Sequence, residues 1–196
     1  SKLKLYRLRR AVTITADDTP VHAVIGTAEN SRRDPRFAET VSRFYGAVDT
    51  AAEEAAFTAF RWQHGVFEGA AELIPEKALP LEARLDLDAG ISFEKGCYIG
   101  QEVTARTRYR GLVKRSFVPV RLTSVLASPA QITAAGKDAG DLLACLADGD
   151  AALGLASVRL AFLNDPETPL EVGGEVITPF LPPRLLPLPG TDQNSG

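Results

Sequence analysis

From Val113 onward the chain is a succession of short apolar runs interrupted by glycine turns, and that pattern leaves few folds open. Val113 to Leu122 alternates with period two, which puts Val118, Val120 and Leu122 on one face. Leu142-Leu143-Ala144-Cys145-Leu146 and Ala151 to Leu160 flank the turn Asp148-Gly149-Asp150. Leu170-Glu171-Val172 and Glu175-Val176-Ile177-Thr178 flank Gly173-Gly174. Runs this short, joined by turns that supply left-handed backbone and with little helical spacing among them, predict a small antiparallel β-barrel. Cys145 lies inside an apolar run and reads as a core residue. The end, residues 183–196, is proline-rich and then polar, so poor order is expected there.

Upstream the pattern changes to a mixture of helix and strand. Asp49 to His64 has the clearest helical spacing, with Asp49 or Thr50 as cap, Glu53 and Glu54 in the first turn, and Ala56, Phe57 and Phe60 as apolar face. Gly65 terminates it. Ala11 to Thr15 and Val21 to Gly26 read as an antiparallel pair around Asp17-Asp18-Thr19-Pro20. His22 on the second of these strands reads as a sheet residue, and Asn30 to Arg36 as a polar loop. The fold class is therefore α+β followed by all-β. The expected domains are 1–110, a mixed α+β region, and 111–182, the barrel.

Bulk properties exclude several classes. No apolar run approaches the ~20 residues that span a bilayer, and no stretch reads as a signal peptide. Two cysteines, Cys97 and Cys145, are too few for a disulfide framework, which favours a reducing compartment. A net charge of −3 argues against general nucleic-acid binding. That charge is unevenly spread. The window Lys95 to Arg121 carries +6, leaving −9 on the remainder, and concentrated cations suit a small anionic ligand or an acidic partner.

The same window opens on the stretch with most chemical content, Phe93-Glu94-Lys95-Gly96-Cys97-Tyr98-Ile99-Gly100-Gln101-Glu102. Two glycines bracket a cysteine, and helical spacing follows, with Ile99, Val103 and Arg106 near one face. A turn at Lys95-Gly96 is expected to present Cys97 just before a helix. There unpaired backbone N–H groups, the positive end of the helix dipole and Lys95 would all favour the thiolate, the reactive and metal-binding form.

Lys95 through Glu102 resembles, without a gap, the signature of the YgfZ-type folate-binding proteins, and Thr104-Ala105-Arg106-Thr107 with Gly111 extends the likeness. These form a branch of the aminomethyltransferase (glycine-cleavage T-protein) superfamily that includes the iron–sulfur assembly factors of the Iba type. The resemblance implies a GcvT-like folate-binding region with ferredoxin-like α/β elements, then a β-barrel. In that family a segment like Leu5-Tyr6-Arg7-Leu8-Arg9 follows a substantial N-terminal portion, so the chain, which has no methionine, is expected to lack it.

What the resemblance implies about function is equally specific. Cys97 would act as a thiolate toward iron, sulfur or a partner's thiol. Gly96 and Gly100 would shape its loop, with Tyr98 in the same motif. Lys95 would lower its pKa, and Gln101 and Glu102 would fix local hydrogen bonds. Glu82, in Leu79-Pro80-Leu81-Glu82-Ala83, would accept the two parallel N–H donors of a pterin edge. Arg106 would suit a folate glutamate tail, and Trp62 would stack on the pterin if it is not simply core. Tetrahydrofolate is the implied cofactor. An iron–sulfur cluster would be held only jointly with a carrier or client protein, because clusters usually take four thiolates. Nucleic acid and membrane are not expected partners. The implied role is a folate-binding assembly or repair factor, in a bacterial cytosol or, in a eukaryote, the mitochondrial matrix. The alternative is a folate-dependent aminomethyl or methyl transferase, whose N-terminal aspartate is not found in this sequence.

Overall fold

The computed structural model describes all residues except 1–4, 8–9, 39–40, 50–52, 166 and 190–196. The chain divides into two compact units, residues 1–34 with 38–51, and residues 35–37 with 52–196. Residues 52–110, grouped in sequence with the N-terminal region, thus share a unit with the barrel.

The smaller unit is a three-stranded antiparallel sheet of β1 (Val21–Ile25), β2 (Arg32–Arg33) and β3 (Val41–Tyr45), with β3 in the centre. β1 pairs with β3 from Val21 opposite Tyr45 to Ile25 opposite Val41. The expected pairing of Ala11–Thr15 with β1 does not occur. The Asp17 carboxylate instead accepts bonds from the Thr19 amide (3.0 Å) and hydroxyl (2.6 Å), closing a local turn that needs no opposing strand. β3, missed in sequence, holds buried Asp34: the Asp34 amide donates to Val41 O at 2.8 Å and Arg43 Nε donates to its carboxylate at 3.1 Å.

The larger unit begins with α1 (Glu54–Gln63), which starts five residues later than its predicted cap at Asp49; Thr50 lies outside the described residues. Its N-cap, Glu53, makes no side-chain cap bond. Gly65 ends the helix at φ +69°, and a Cβ there would strike Leu185 Cγ at 2.8 Å. A long turn-rich stretch then leads to α2 (Gln101–Tyr109). The barrel follows: β4 (Arg115–Leu122), β5 (Ala130–Ala134), β6 (Lys137–Asp148), β7 (Ala151–Arg159), a one-turn helix α3 (Leu160–Leu163), β8 (Leu170–Val172) and β9 (Glu175–Pro179). The strands close in the order β4-β7-β6-β5-β8-β9. Among the described residues no helix is long and apolar enough to cross a membrane.

Val118, Val120, Ile132, Leu142, Ala156, Val158 and Ile177 fill the barrel interior. β4 departs from strict alternation, with Ser116 to Val120 all buried. Its outer face is covered: Phe67 packs on Phe117 with ring centroids 6.1 Å apart, and the Phe117 amide donates to Glu82 O at 2.8 Å. The poor order expected from residue 183 is not found over 183–189, and the rest of that tail lies outside the described residues. Pro183–Leu185 forms a 3₁₀ turn, Leu185 and Leu188 are buried, and Arg84 donates to Leu185 O at 2.8 Å. Prolines that pre-set φ lower the entropy lost on ordering this segment, so a few apolar anchors suffice.

The tightest backbone approach in the barrel falls at a glycine. Gly140, at φ +153°, sits on β6 where a Cβ would lie inside the van der Waals envelope of the Ser157 carbonyl oxygen on β7. Gly140→Ala is expected to lower stability by about 2–4 kcal/mol in urea unfolding. Gly149→Ala, in an open turn at φ +63°, should cost only about 1 kcal/mol. Equal losses for the two would show that the close approach of β6 to β7 is not what requires Gly140.

Candidate functional site

The turn-rich stretch between α1 and α2 is fastened to α1 by polar contacts. Arg61 of α1, itself buried, donates to both carboxylate oxygens of buried Glu72 at 2.6 and 3.1 Å and to Val66 O at 3.2 Å. The Glu68 amide also donates to Glu72 at 2.9 Å. These bonds satisfy a pair of charges that would otherwise be expensive to bury.

Glu72 in turn lines a cavity of about 440 Å³ together with Ile74, Ala78, Glu82, Arg115 and Phe117. Lys77, Pro129, Leu143 and the cross-strand pair Asp141–Ser157 complete its wall. Burial pushes the Glu82 carboxyl above its ordinary range, and the nearby Arg115 charge partly offsets this. Arg115 is also held by Asp141 at 2.7 Å and Asp138 at 3.5 Å. The lining thus combines apolar walls with three carboxylates, Glu72, Glu82 and Asp141, and two cations, Lys77 and Arg115. Arg115 was visible in sequence as part of the cationic window. Asp141 and Ser157 carried no such signal, since only the β6–β7 register brings them here.

Cys97 is exposed, on the loop that precedes α2. The loop is held to the helix by aromatic contacts: the Arg108 guanidinium sits 4.1 Å from the Phe93 ring centroid, and Phe93 meets Tyr109 edge-on. The glycine that requires left-handed backbone is Gly100, the N-cap at φ +86°, and not Gly96, which has ordinary φ. The turn therefore falls after Cys97, and three residues intervene before the helix begins at Gln101. Lys95 places its ammonium 4.6 Å from the Tyr98 ring centroid, and the Gln101 amide donates to Tyr98 O at 3.2 Å. Glu102 pairs with Arg106 at 3.5 Å on the exposed helix surface.

The sequence-predicted residues thus fall in separate places. Lys95, Gly96, Cys97, Tyr98, Gly100, Gln101, Glu102 and Arg106 share the loop and α2. Glu82 lines the cavity, without Arg106 or Trp62. Trp62 is 3% exposed and belongs to the hydrophobic cluster around the barrel, the core placement that competed with pterin stacking. A second concavity, about 510 Å³, runs beside the loop and α2 between Pro80, Leu85, Ile91, Tyr98, Ile99 and Val103, and shares no lining residue with the first. Segment 78–85 forms a wall of both: Ala78 and Glu82 face the cavity, Pro80 and Leu85 the groove. Among the described residues no group of three or more His, Cys, Asp or Glu side chains is arranged to hold a metal.

Residues 114–185 match the family model of the CAF17 C-terminal beta-barrel domain, bounds that coincide with the closed barrel and its 3₁₀ cap. The chain is also similar to curated proteins. It is 33% identical over 196 residues to the mouse iron–sulfur cluster assembly factor IBA57, mitochondrial, covering 84% of this chain and 54% of that protein. A Phaeosphaeria nodorum IBA57 homolog is 48% identical over 83 residues, covering 42% and 20%. One from Aspergillus clavatus is 51% identical over 67 residues, covering 34% and 15%. The chain spans about half the length of the mouse relative and less of the fungal ones. These matches fit the Iba-like branch to which the cysteine motif pointed, and the relatives are named as mitochondrial, not as bacterial cytosolic proteins.

The environment of Glu82 sets a pH test. A raised carboxyl pKa in the folded state means that the native protein holds this proton more tightly than the unfolded chain. Its contribution to stability is therefore full below the ordinary glutamate range and is lost as pH rises through the folded pKa. Glu82→Gln is expected to raise Tm at pH 7.5, with the advantage shrinking toward pH 4 in thermal scans. A variant no more stable than wild type at pH 7.5 would mean that the carboxylate is not desolvated.

Proposed function

We propose that this protein is a tetrahydrofolate-binding auxiliary factor for assembling or repairing iron–sulfur clusters, acting in the mitochondrial matrix; its relatives are named as mitochondrial. The observation that carries this reading is the exposure of Cys97 on a loop fastened to α2, in a chain whose relatives are named cluster assembly factors. An exposed thiol can reach iron on another protein, whereas one sealed in a core cannot. On ligation the thiol releases its proton to solvent and the sulfur donates a lone pair to iron. One thiolate leaves the remaining ligands to a carrier or client protein. The cluster is thus cargo.

Folate fits the chemistry of the other concavity. Glu82 would accept the paired N–H donors of the pterin's pyrimidine edge, which replaces the water that burial has removed from the carboxylate. Lys77 and Arg115 would face the ligand's carboxylates, and Phe117 and Leu143 its apolar surface. Bound tetrahydrofolate would supply a carrier for one-carbon units. The residues around it bind and orient, and Cys97, which does not line the cavity that holds Glu82, favours folate as a bound ligand over folate as a reactant at the thiol.

Two measurements test this. Anaerobic mixing with a carrier loaded with a [2Fe–2S] cluster is expected to yield a bridged species by size exclusion and visible circular dichroism, and Cys97→Ser should abolish it. The same species formed by the Ser variant would remove Cys97 as ligand. In calorimetry with 5-formyltetrahydrofolate, Glu82→Gln should weaken binding roughly ten- to a hundredfold, the range for losing a charge-assisted hydrogen bond. Unchanged affinity would place the pterin elsewhere.

A further inference from the structure

Ser42, Ser116 and Ser157 are all buried, but the fold treats them differently. Ser42 Oγ donates to Gly26 O at 3.2 Å and Ser116 Oγ to Phe117 O at 3.3 Å. The Ser157 hydroxyl, on a residue only 6% exposed, makes no hydrogen bond among the described residues. Its place on β7 explains this. Ala156 and Val158 on either side point into the barrel, so Ser157 points out, between Phe117 of β4 and Asp141 of β6. Asp141, the neighbour that could accept from it, gives its carboxylate to Arg115 at 2.7 Å, and Asp138 holds the other arm of Arg115 at 3.5 Å. The hydroxyl opens instead into the cavity of about 440 Å³.

Most polar groups of that cavity are already committed. Glu72 is bound by Arg61 and the Glu68 amide, and Arg115 and Asp141 hold each other. Lys77 is exposed, where bulk water serves it. Two groups are left, the Glu82 carboxylate and the Ser157 hydroxyl, neither with a hydrogen bond or ion pair among the described residues. They belong to different walls, Glu82 to the turn-rich stretch and Ser157 to the outer face of the β4-β7-β6 sheet. Solvent in the cavity serves both in the free protein. A ligand that fills the cavity displaces this solvent, and it binds well only if its own atoms replace the bonds. One that satisfies Glu82 alone leaves a dry hydroxyl.

We propose that Ser157 is the second recognition point of this cavity and selects a ligand that carries nitrogen in the ring fused to the edge held by Glu82. The proposal rests on the reading of the cavity as a folate site. In a tetrahydrofolate the pyrimidine ring is oriented by Glu82, and the tail carboxylates are matched to Lys77 and Arg115. The nitrogens of the second ring are the polar atoms left on the ring system, and Ser157 is the group of the sheet wall still without a bond. A hydroxyl accepts from the N–H of a reduced ring and donates to a ring nitrogen with a free lone pair. Ser157 therefore reads nitrogen against carbon, not one oxidation state of the ring against another. It determines specificity and contributes little to holding the fold.

Anaerobic calorimetry on the full chain tests this with two compounds, tetrahydrofolate and its 5,8-dideaza analogue. The analogue keeps the pyrimidine edge and the tail and has carbon in place of both second-ring nitrogens. Wild type is expected to bind tetrahydrofolate roughly five- to twentyfold tighter than the analogue, the range for a buried hydrogen bond lost with its partner left dry. Ser157→Ala should bind the two compounds within about twofold of each other. Its Tm should stay within about 2 °C of wild type, because the hydroxyl bonds nothing in the fold. Equal affinity of wild type for the two compounds, or a preference that survives in Ser157→Ala, overturns the role of Ser157. The folate reading then still stands if Glu82→Gln weakens tetrahydrofolate binding. A Tm loss of more than about 5 °C in Ser157→Ala overturns the role too, by showing that the hydroxyl is held within the fold. Failure of wild type to bind either compound at about 1 mM removes the folate reading and this proposal with it.

Discussion

The buried bidentate pair between Arg61 and Glu72 is the contact on which the site's architecture depends. Glu72 is both the anchor of the stretch after α1 and a wall of the cavity that holds Glu82. A carboxylate buried in this way is tolerable only with its partner present, and Arg61 spreads its donors over Glu72 and Val66 O so that the loop closes back on the helix. Loss of Arg61 would leave Glu72 as a buried charge without its cation, and the rest of the stretch, which is mostly turns, has little ladder bonding to hold it. The cavity's shape therefore follows from an electrostatic necessity in its own wall, at Glu72.

The stretch then does something that a strand or helix could not easily do. Within eight residues its side chains divide between two concavities, Ala78 and Glu82 to one and Pro80 and Leu85 to the other. Arg84, on the same segment and at φ +56°, is buried and donates to Leu185 O, which ties the wall to the C-terminal turn. The segment is thus pinned at Arg84 while its two faces line different concavities, with no residue common to both.

How much of this was legible in the sequence differs by region, for physical reasons. The barrel was legible because its strands are short, apolar and separated by glycine turns, and those are local signals. Its first strand was legible in position but not in burial, since only the long-range cover from Phe67 and Glu82 explains why Ser116 to Val120 are all enclosed. The loop with Cys97 was placed correctly before a helix. The turn was assigned to Gly96, however, because sequence shows which residues are glycine but not which of them carries positive φ. Ala11–Thr15 reads as a strand by alternation, yet β1 takes β3 as its partner, and strand pairing is not encoded in either strand alone. The cavity was the least legible feature. Glu82 could be named from its context, but Arg115, Asp141 and Ser157 converge on it only through barrel closure.

The most informative misfit is α2, where local and tertiary signals disagree. Its sequence has helical spacing and a proper C-terminal cluster of cations, yet a nine-residue helix with no buried face is marginal on its own. What holds it is the clamp of Phe93 between Arg108 and Tyr109, and a distant Arg108–Asp86 attraction at 3.9 Å. These are contacts to the very loop that carries Cys97, so helix and loop order each other while neither is ordered by the core. A stable domain ordinarily buries Ile and Val, and solvates a helix with charge of both signs. Here the apolar residues stay out and one sign dominates, a combination that lowers the stability of the isolated unit and favours whatever covers it. The stretch that brings the thiol to the surface is thus ordered by its own local contacts and not by the packing of the barrel core.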